Sequence, residues 1–562
     1  MKSRLHKIEI TNFKAFRQFS LDLDGRHLLV YGDNGAGKSS LYWALYTFLQ
    51  SARKPTTGVE KYFTPGGSQT LLNIHEQGEA APRPGRIALT FRDTATNKDS
   101  AFTISKDEHE TKKKPLIEKG DLASDFITYR FFFGFSDFKN SKDFNLWPLF
   151  RDEILPFCVS TTTVPETPLD WWRRIESGNA NPSKNKGPAA TKSYSRFQLN
   201  TDNFALVLDA IVQLISDKAQ DFYDQHFSSD DPAKITLKLV VPKDNATKKP
   251  VTPAYNRATK TFTPPEILFG LKVGNTPISR PQSFLNEAKL TQLALSVRFA
   301  ASMVNLHESD LKLLVLDDLL VSLDMSNRMK IVDILLSETF DNYQKIILTH
   351  DLGFFREFRR SIGSNHPNWA FVRLIGDPKT NICYRVEKTE LEKAEDYLNG
   401  HCLDEAAVCL RKAAEDMAKR FREWYEKKKL PPGEFFTLTE NLRAARNKLF
   451  EKLPMSLYNR VLYGTPAAYR ENLLPANDAD VDTITGIAAA DCGKLKSQRK
   501  NLRLLFKDEN WKVMENIKLI DEVLNTTERI LNPGAHGGHT PLYEHEVNKA
   551  IELISKLEKC LA

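Results

Sequence analysis

The stretch Gly32-Asp33-Asn34-Gly35-Ala36-Gly37-Lys38-Ser39-Ser40 has the spacing Gly-x-x-x-x-Gly-Lys-Ser. Apolar His27-Leu28-Leu29-Val30-Tyr31 precedes it, and a helical pattern through Leu41, Ala44, Leu45 and Phe48 follows, so the order is strand, glycine loop, helix. Such a loop turns backbone N–H groups inward around phosphate oxygens, and the helix N-terminus adds favourable partial charge. Asn34, Gly35, Ala36 and Gly37 are placed to cradle a triphosphate, with Ser40 completing the binding stretch. Lys38 is placed to reach its β and γ oxygens and Ser39 to ligate Mg²⁺. The expected cofactors are ATP and Mg²⁺.

A second group of residues lies far downstream. Leu313-Leu314-Val315-Leu316 reads as a buried strand, and Asp317-Asp318 put two carboxylates at its C-terminal edge. A Mg²⁺ partner belongs there: Asp317 is assigned to the metal, directly or through water, and Asp318 to polarising an attacking water. Ser322-Leu323-Asp324 follows at short spacing. A further apolar strand, Ile346-Ile347-Leu348, ends in Thr349-His350-Asp351, which brings the His350 imidazole to the same sheet edge, where a γ-phosphate would lie.

These groups need a sheet to hold them. Strands are expected within Arg4–Leu23, at Arg86–Phe91, Phe102–Ser105, Ile235–Val241, Glu266–Val273, Leu311–Leu316, Lys345–Leu348 and Trp369–Ile375, interleaved with helices. That interleaving indicates an α/β core around a large sheet. Helical spacing over about 121–232 suggests an insertion, broken by the polar stretch Ser177–Lys192, which reads as a mobile loop. Past Val386 the texture is helical, over Leu391–Lys429, Leu438–Leu453, Asp480–Phe506 and Val513–Asn532, so the chain is divided into 1–388 and an all-α domain 389–562.

At 562 residues the chain has room for two to four domains with cores of their own. Its six cysteines show no CxxC and no paired Cys/His spacing, which argues against a disulfide framework or zinc site and favours a reducing cytoplasm. No apolar run approaches the length of a membrane span, so neither a membrane nor secretion is expected. The net charge of +7 is mild, but residues 391–562 carry 27 basic and 27 acidic side chains, so the excess lies before them. Lys112–Lys114, Lys184–Lys192 and Lys243–Lys260 cluster there, while Lys494, Lys496, Arg499, Lys500 and Arg503 mark one stretch of the tail. These are candidate nucleic-acid contacts.

Taken together, the glycine loop, the acidic strand end, Ser322–Asp324 and His350 resemble the ABC-type P-loop ATPases of the SMC/RecF class. The resemblance covers about residues 1–385. It implies a signature motif just before the acidic strand, a place occupied by Ser283–Ser296, where Asn286, Glu287 and Ala288 replace the usual serine and glycines. It also implies that nucleotide is sandwiched between the P-loop of one head and the signature helix of another, hence at least a homodimer, with Asn286, Glu287 and Asp324 at the nucleotide. The usual glutamate is Asp318, which predicts slow hydrolysis. Tyr129–Phe138 sits where a glutamine loop is expected and receives no role. Only 243 residues, Ser40–Gln282, separate loop from signature, too few for a long arm or a zinc hook.

Within the short-armed members the chain is similar to the PtuA family, ATPase subunits of Septu and retron-associated Septu anti-phage systems. That resemblance implies a partner HNH nuclease toxin of the PtuB type, and an association with a reverse transcriptase and its RNA–DNA product. The alternative is a RecF-like repair ATPase on gapped or broken DNA. The tail resembles a HEPN-type bundle, in which Arg529 and His536 fall within the Arg-x(4–6)-His ribonuclease spacing; it is read either as a partner-binding domain or as a ribonuclease.

Overall fold

Strands that are apolar at every position need cover on both faces. The central sheet of this protein supplies it. A computed structural model describes residues 2–128, 131, 135, 145–158, 167–177, 188–256, 261–304, 308–318, 325–362, 368–426, 437–452, 508–532 and 541–561. The backbone divides into two units, Met1–Glu387 and Lys388–Ala562.

In the first unit six strands form a mixed sheet in the order Asn381–Val386, Trp369–Asp377, His27–Tyr31, Gln344–Thr349, Leu313–Asp317 and Asp125–Thr128. All neighbours are parallel except the hairpin Trp369–Val386. Leu29, Tyr31, Leu314, Leu316 and Ile347 face one core; Leu28, Val30, Leu313, Val315 and Ile346 face the other. The first core is closed by the long helix Pro188–His226 and the helix Glu287–Val304, the second by the P-loop helix Lys38–Ser51 and a four-stranded antiparallel sheet. That sheet runs Phe16–Asp22, Ser3–Phe13, Arg86–Asp93, Asp99–Ser105. Each leucine of such a strand contributes about 2 kcal/mol by leaving water.

Several features depart from the sequence reading, among them the unexpected edge strand Asn381–Val386. Strand Asp125–Thr128 lies inside the stretch expected to be helical, and it forms the edge of the central sheet. Its Asp125 carboxylate is buried and held by Arg298 and Ser302 of the Glu287–Val304 helix, with Arg298 Nη1 donating at 2.8 Å. Truncating Asp125 would leave a buried guanidinium unpaired, a loss of about 3–5 kcal/mol. The polar stretch Ser177–Lys192 is not wholly loop: from Pro188 onward its backbone belongs to the long helix, while 178–187 lie outside the described residues. Proline is well suited to the first turn, where its missing N–H is not needed.

The second unit packs helices Glu390–Asn399, Leu403–Glu426, Leu438–Glu451, Asp508–Thr526 and Glu544–Leu561 around Leu410, Leu442, Ile520 and Ile554. The expected span Leu391–Lys429 is two helices, divided at Gly400-His401, where His401 takes a φ of 57°. Thr389 with Glu392, and Thr437 with Glu440, form capping boxes that start two of the helices. Among the described residues no helix is long and apolar enough to cross a membrane.

Candidate active site

Parallel register brings the dispersed residues together. Tyr31 is level with Thr349, and Leu348 with Asp317, so three adjacent strands end side by side. The chain leaves the first into the glycine loop, where Gly35 and Gly37 take φ of 88° and 94°. A Cβ on Gly37 would stand 2.9 Å from Ile382 Cδ1 and 3.1 Å from Phe16 Cζ, so a larger residue is both strained and crowded there.

Lys38 is buried, and its ammonium donates to the carbonyls of Gly32 at 2.7 Å and Asp33 at 3.2 Å. It lies 3.9 Å from Asp318 Oδ2. Asp318 leaves the strand with a φ of 50°, its N–H donating to the Leu348 carbonyl. That turn aims its carboxylate at the neighbouring strand end: Oδ1 accepts from the His350 backbone N–H at 2.9 Å and lies 2.8 Å from His350 Nδ1. A carboxylate accepts only, so Nδ1 is the ring nitrogen that carries a hydrogen toward Asp318, which leaves Nε2 on the far side of the ring. Asp317 is buried at the end of its strand. Next to His350, Asp351 pairs with Arg328 and caps the helix Leu352–Ile362 through the Phe354 N–H at 2.9 Å. Burial pushes the Asp351 carboxyl up, but the Phe354 N–H and the Arg328 guanidinium outweigh it and hold the group below its ordinary value.

A cavity of 570 Å³ opens over the loop, lined by Asn34, Gly35, Gly37, Lys38, Ser39, Ser40 and Asp318. Ser39 is exposed, whereas Ser40 is buried and accepts from the Ala15 N–H at 3.2 Å. Ala36 is buried behind the lining. The rest of the wall was not foreseen: Lys14, Ala15, Thr70, Leu71, Leu72, Ile74, His75 and Pro378. Lys14 turns at a φ of 48° with its ammonium 5.4 Å from the Trp43 ring centre. The tight Asn12–Phe16 turn was the available signal; the others are delivered by loops whose position no spacing encodes.

The chemistry of this donor set suits a triphosphate with a divalent cation: a glycine-rich loop leading into a helix N-terminus, a glycine where a Cβ would be crowded, two lysines, the Ser39 hydroxyl and the Asp318 carboxylate, with Asp317 buried at the adjoining strand end. The cation would be held by Ser39 and Asp317.

Asn286 and Glu287 do not line this cavity. Asn286 caps the helix Glu287–Val304, its Oδ1 accepting from the Lys289 N–H at 2.8 Å, and both residues are exposed. Lys289 is turned inward onto Asp231 at 2.5 Å, and Tyr223 donates to the same carboxylate at 2.7 Å. Asp324, with Ser322 and Leu323, lies outside the described residues, as does Tyr129–Phe138 except for the buried Phe131 and Phe135. Arg529 is held by Glu546 at 3.1–3.2 Å, and His536 lies outside the described residues. Of the basic clusters, Lys112 donates to the Lys54 carbonyl, Lys114 sits over Phe102, and Lys243 pairs with Asp209. Lys184 and the tail cluster Lys494–Arg503 fall outside the described residues.

Comparison with known proteins gives the family. The segment shared with the DNA replication and repair proteins RecF of Rhizobium leguminosarum bv. trifolii and Rhizobium etli is 46% identical over 44 residues, 8% of this chain and 12% of each relative. The chain therefore matches only a small part of the length of those relatives. Among solved structures, the Smc head domain of Pyrococcus furiosus bound to the C-terminal domain of ScpA is 11% identical, with a TM-score of 0.38 over 71% of this chain and 99% of that one. The recombination mediator protein RecF with ATP is 12% identical, with a TM-score of 0.41 over 69% and 98%. The family model RecF/RecN/SMC N terminal domain matches residues 4–368, well over half of the sequence, and the chain belongs to that family.

Proposed function

We propose that this protein binds ATP with Mg²⁺ and hydrolyses it slowly, using the nucleotide as a switch. The convergence of Lys38, Asp318 and His350 at one sheet edge carries the reading. Lys38 would exchange its loop carbonyls for the β and γ oxygens, and Ser39 and Asp317 would hold the cation, which neutralises developing charge. Asp318 would fix the tautomer of His350 so that Nε2 faces the γ-phosphate and its attacking water. The water oxygen bonds to the γ phosphorus as the bond to the β-bridging oxygen breaks, and the water proton passes to the Asp318–His350 pair. The Asp318 side chain is short and already accepts from His350, which supports slow turnover.

The family resemblance supports two heads per working unit, with Asn286 and Glu287 of one opposite the loop of the other. The similarity to Septu ATPases supports a further step: the nucleotide state holds an oligomer that restrains or positions a partner HNH nuclease, with a reverse transcriptase and its RNA–DNA product as further members. The short RecF match favours a second reading, a repair ATPase on gapped or broken DNA.

The test of ATP binding is calorimetry on Lys38→Ala, whose ATP affinity is expected to fall at least about 100-fold. Equal affinity would overturn the assignment. Co-purification from the native operon separates the biological readings. A stoichiometric HNH protein supports defence; its absence together with tight gapped-DNA binding supports repair.

A further inference from the structure

The long helix Pro188–His226 has one face in the core, through Phe204, Leu208, Ile215 and Phe222, and an opposite stripe that stays in solvent. On that stripe Leu199, Leu206 and Leu214 are 59%, 48% and 52% exposed. Arg196, Asn203, Ala210 and Asp217 fill the positions between and beyond them at steps of three or four residues, and all are exposed. Single exposed leucines are ordinary on a protein surface, but three in one line along about 22 Å of helix are not.

The stripe is complementary to itself. When two copies of the helix lie antiparallel about a two-fold axis between residues 206 and 207, Leu199 of one stands level with Leu214 of the other. The two Leu206 side chains flank the axis, and Asn203 stands level with the small Ala210, which allows close approach. Arg196 then stands level with Asp217, so the symmetric pair closes with an opposite-charge contact at each end. A parallel pair would set Arg196 against Arg196 and Asp217 against Asp217.

We infer that this stripe is an interaction surface for a second copy of the same chain, joined through antiparallel long helices. Three leucines a side make a small interface, so association belongs in the micromolar range. It needs no nucleotide, which sets it apart from a nucleotide-sandwiched head pair and makes it independent of the ATP reading.

Sedimentation velocity of the full chain without nucleotide, over about 1–50 μM, tests it. Wild type and Lys38→Ala are expected to form the same concentration-dependent dimer. Leu206→Glu is expected to be monomeric with an unchanged thermal melt, because the side chain is half exposed. Arg196→Asp is expected to weaken association several-fold, and adding Asp217→Arg to the same chain to restore it. A monomer throughout the range, a dimer seen only with ATP, a Leu206→Glu chain that still dimerises, or a double variant no better than Arg196→Asp would each overturn the inference.

Discussion

At the scale of residues, the decisive contact is between Asp318 and His350, 32 positions apart and joined through one carboxylate oxygen. Asp318→Asn keeps an oxygen for His350 but removes the charge that accepts a proton. Its kcat is expected to fall about 10²–10³-fold with ATP affinity nearly unchanged, measured by single-turnover phosphate release. An equal loss in affinity would mean that Asp318 only holds Lys38. Asp318→Glu, one methylene longer, is expected to raise turnover if reach is limiting; unchanged turnover would sink that explanation. The glycine loop was legible in the sequence because its residues are contiguous and its flanks agree. The direct engagement of Asp318 by His350 was not, because it depends on a φ of 50° at Asp318 that no motif records. Nor could the sequence show that Asn286 turns its side chain back to cap its own helix.

At the scale of elements, the outer wall of the cavity depends on a loop pinned by a buried acid. Glu76 accepts from Arg83 Nε at 2.7 Å, the Arg83 backbone N–H at 3.1 Å and Arg17 Nε at 2.8 Å, while Arg17 Nη1 donates to the Lys379 carbonyl. Asn73 donates to the Pro378 carbonyl. This network fixes the stretch bearing Leu71, Leu72, Ile74 and His75 against the hairpin that contains Pro378. The Arg83 hydrogen bonds, opposed by burial and reinforced by Arg17, hold the Glu76 carboxyl down at about 2, against an ordinary 4.5. Because the folded value is depressed, its stabilisation is fully present above about 4.5 and is lost as pH falls toward 2. Glu76→Gln is therefore expected to cost about 2 kcal/mol at neutral pH, and the gap between the urea midpoints of the two proteins should close across that window. A gap that persists unchanged at pH 2 would rule out charge as its source. None of this was legible in a turn-rich stretch without periodicity, where Glu76 is paired with Arg83 and Arg17 and the loop is tied through Arg17 and Asn73 to Lys379 and Pro378, hundreds of residues away. The edge strands Asp125–Thr128 and Asn381–Val386 escaped notice for a related reason: one is four residues long and the other is mostly exposed on one side, so neither shows the apolar run of the central strands.

At the scale of the whole molecule, the described residues of the two units form cores that share no residue. Two of the clusters lie within Met1–Glu387 and the third within Lys388–Ala562. The composition of the tail makes the helices Leu403–Glu426, Leu438–Glu451 and Asp508–Thr526 legible, whereas the expected span Asp480–Phe506 lies outside the described residues; Pro533-Gly534 breaks the helical pattern, and the helix Glu544–Leu561, with Val547, Ile551, Ile554 and Leu557 at helical spacing, lies beyond that break. The two clusters of the first unit are joined by one sheet, so that unit is expected to melt as one body, and scanning calorimetry of the full chain is expected to resolve two transitions, one per unit. A ligand stabilises only the unit that binds it, by about 2.7 kcal/mol at 100 times its dissociation constant. ATP with Mg²⁺ should therefore raise one transition by a few degrees and leave the other in place, and Lys38→Ala should abolish that shift. If ATP moved both transitions together, the two units would form one cooperative body, and nucleotide binding in the first would have a direct energetic route to the helical unit.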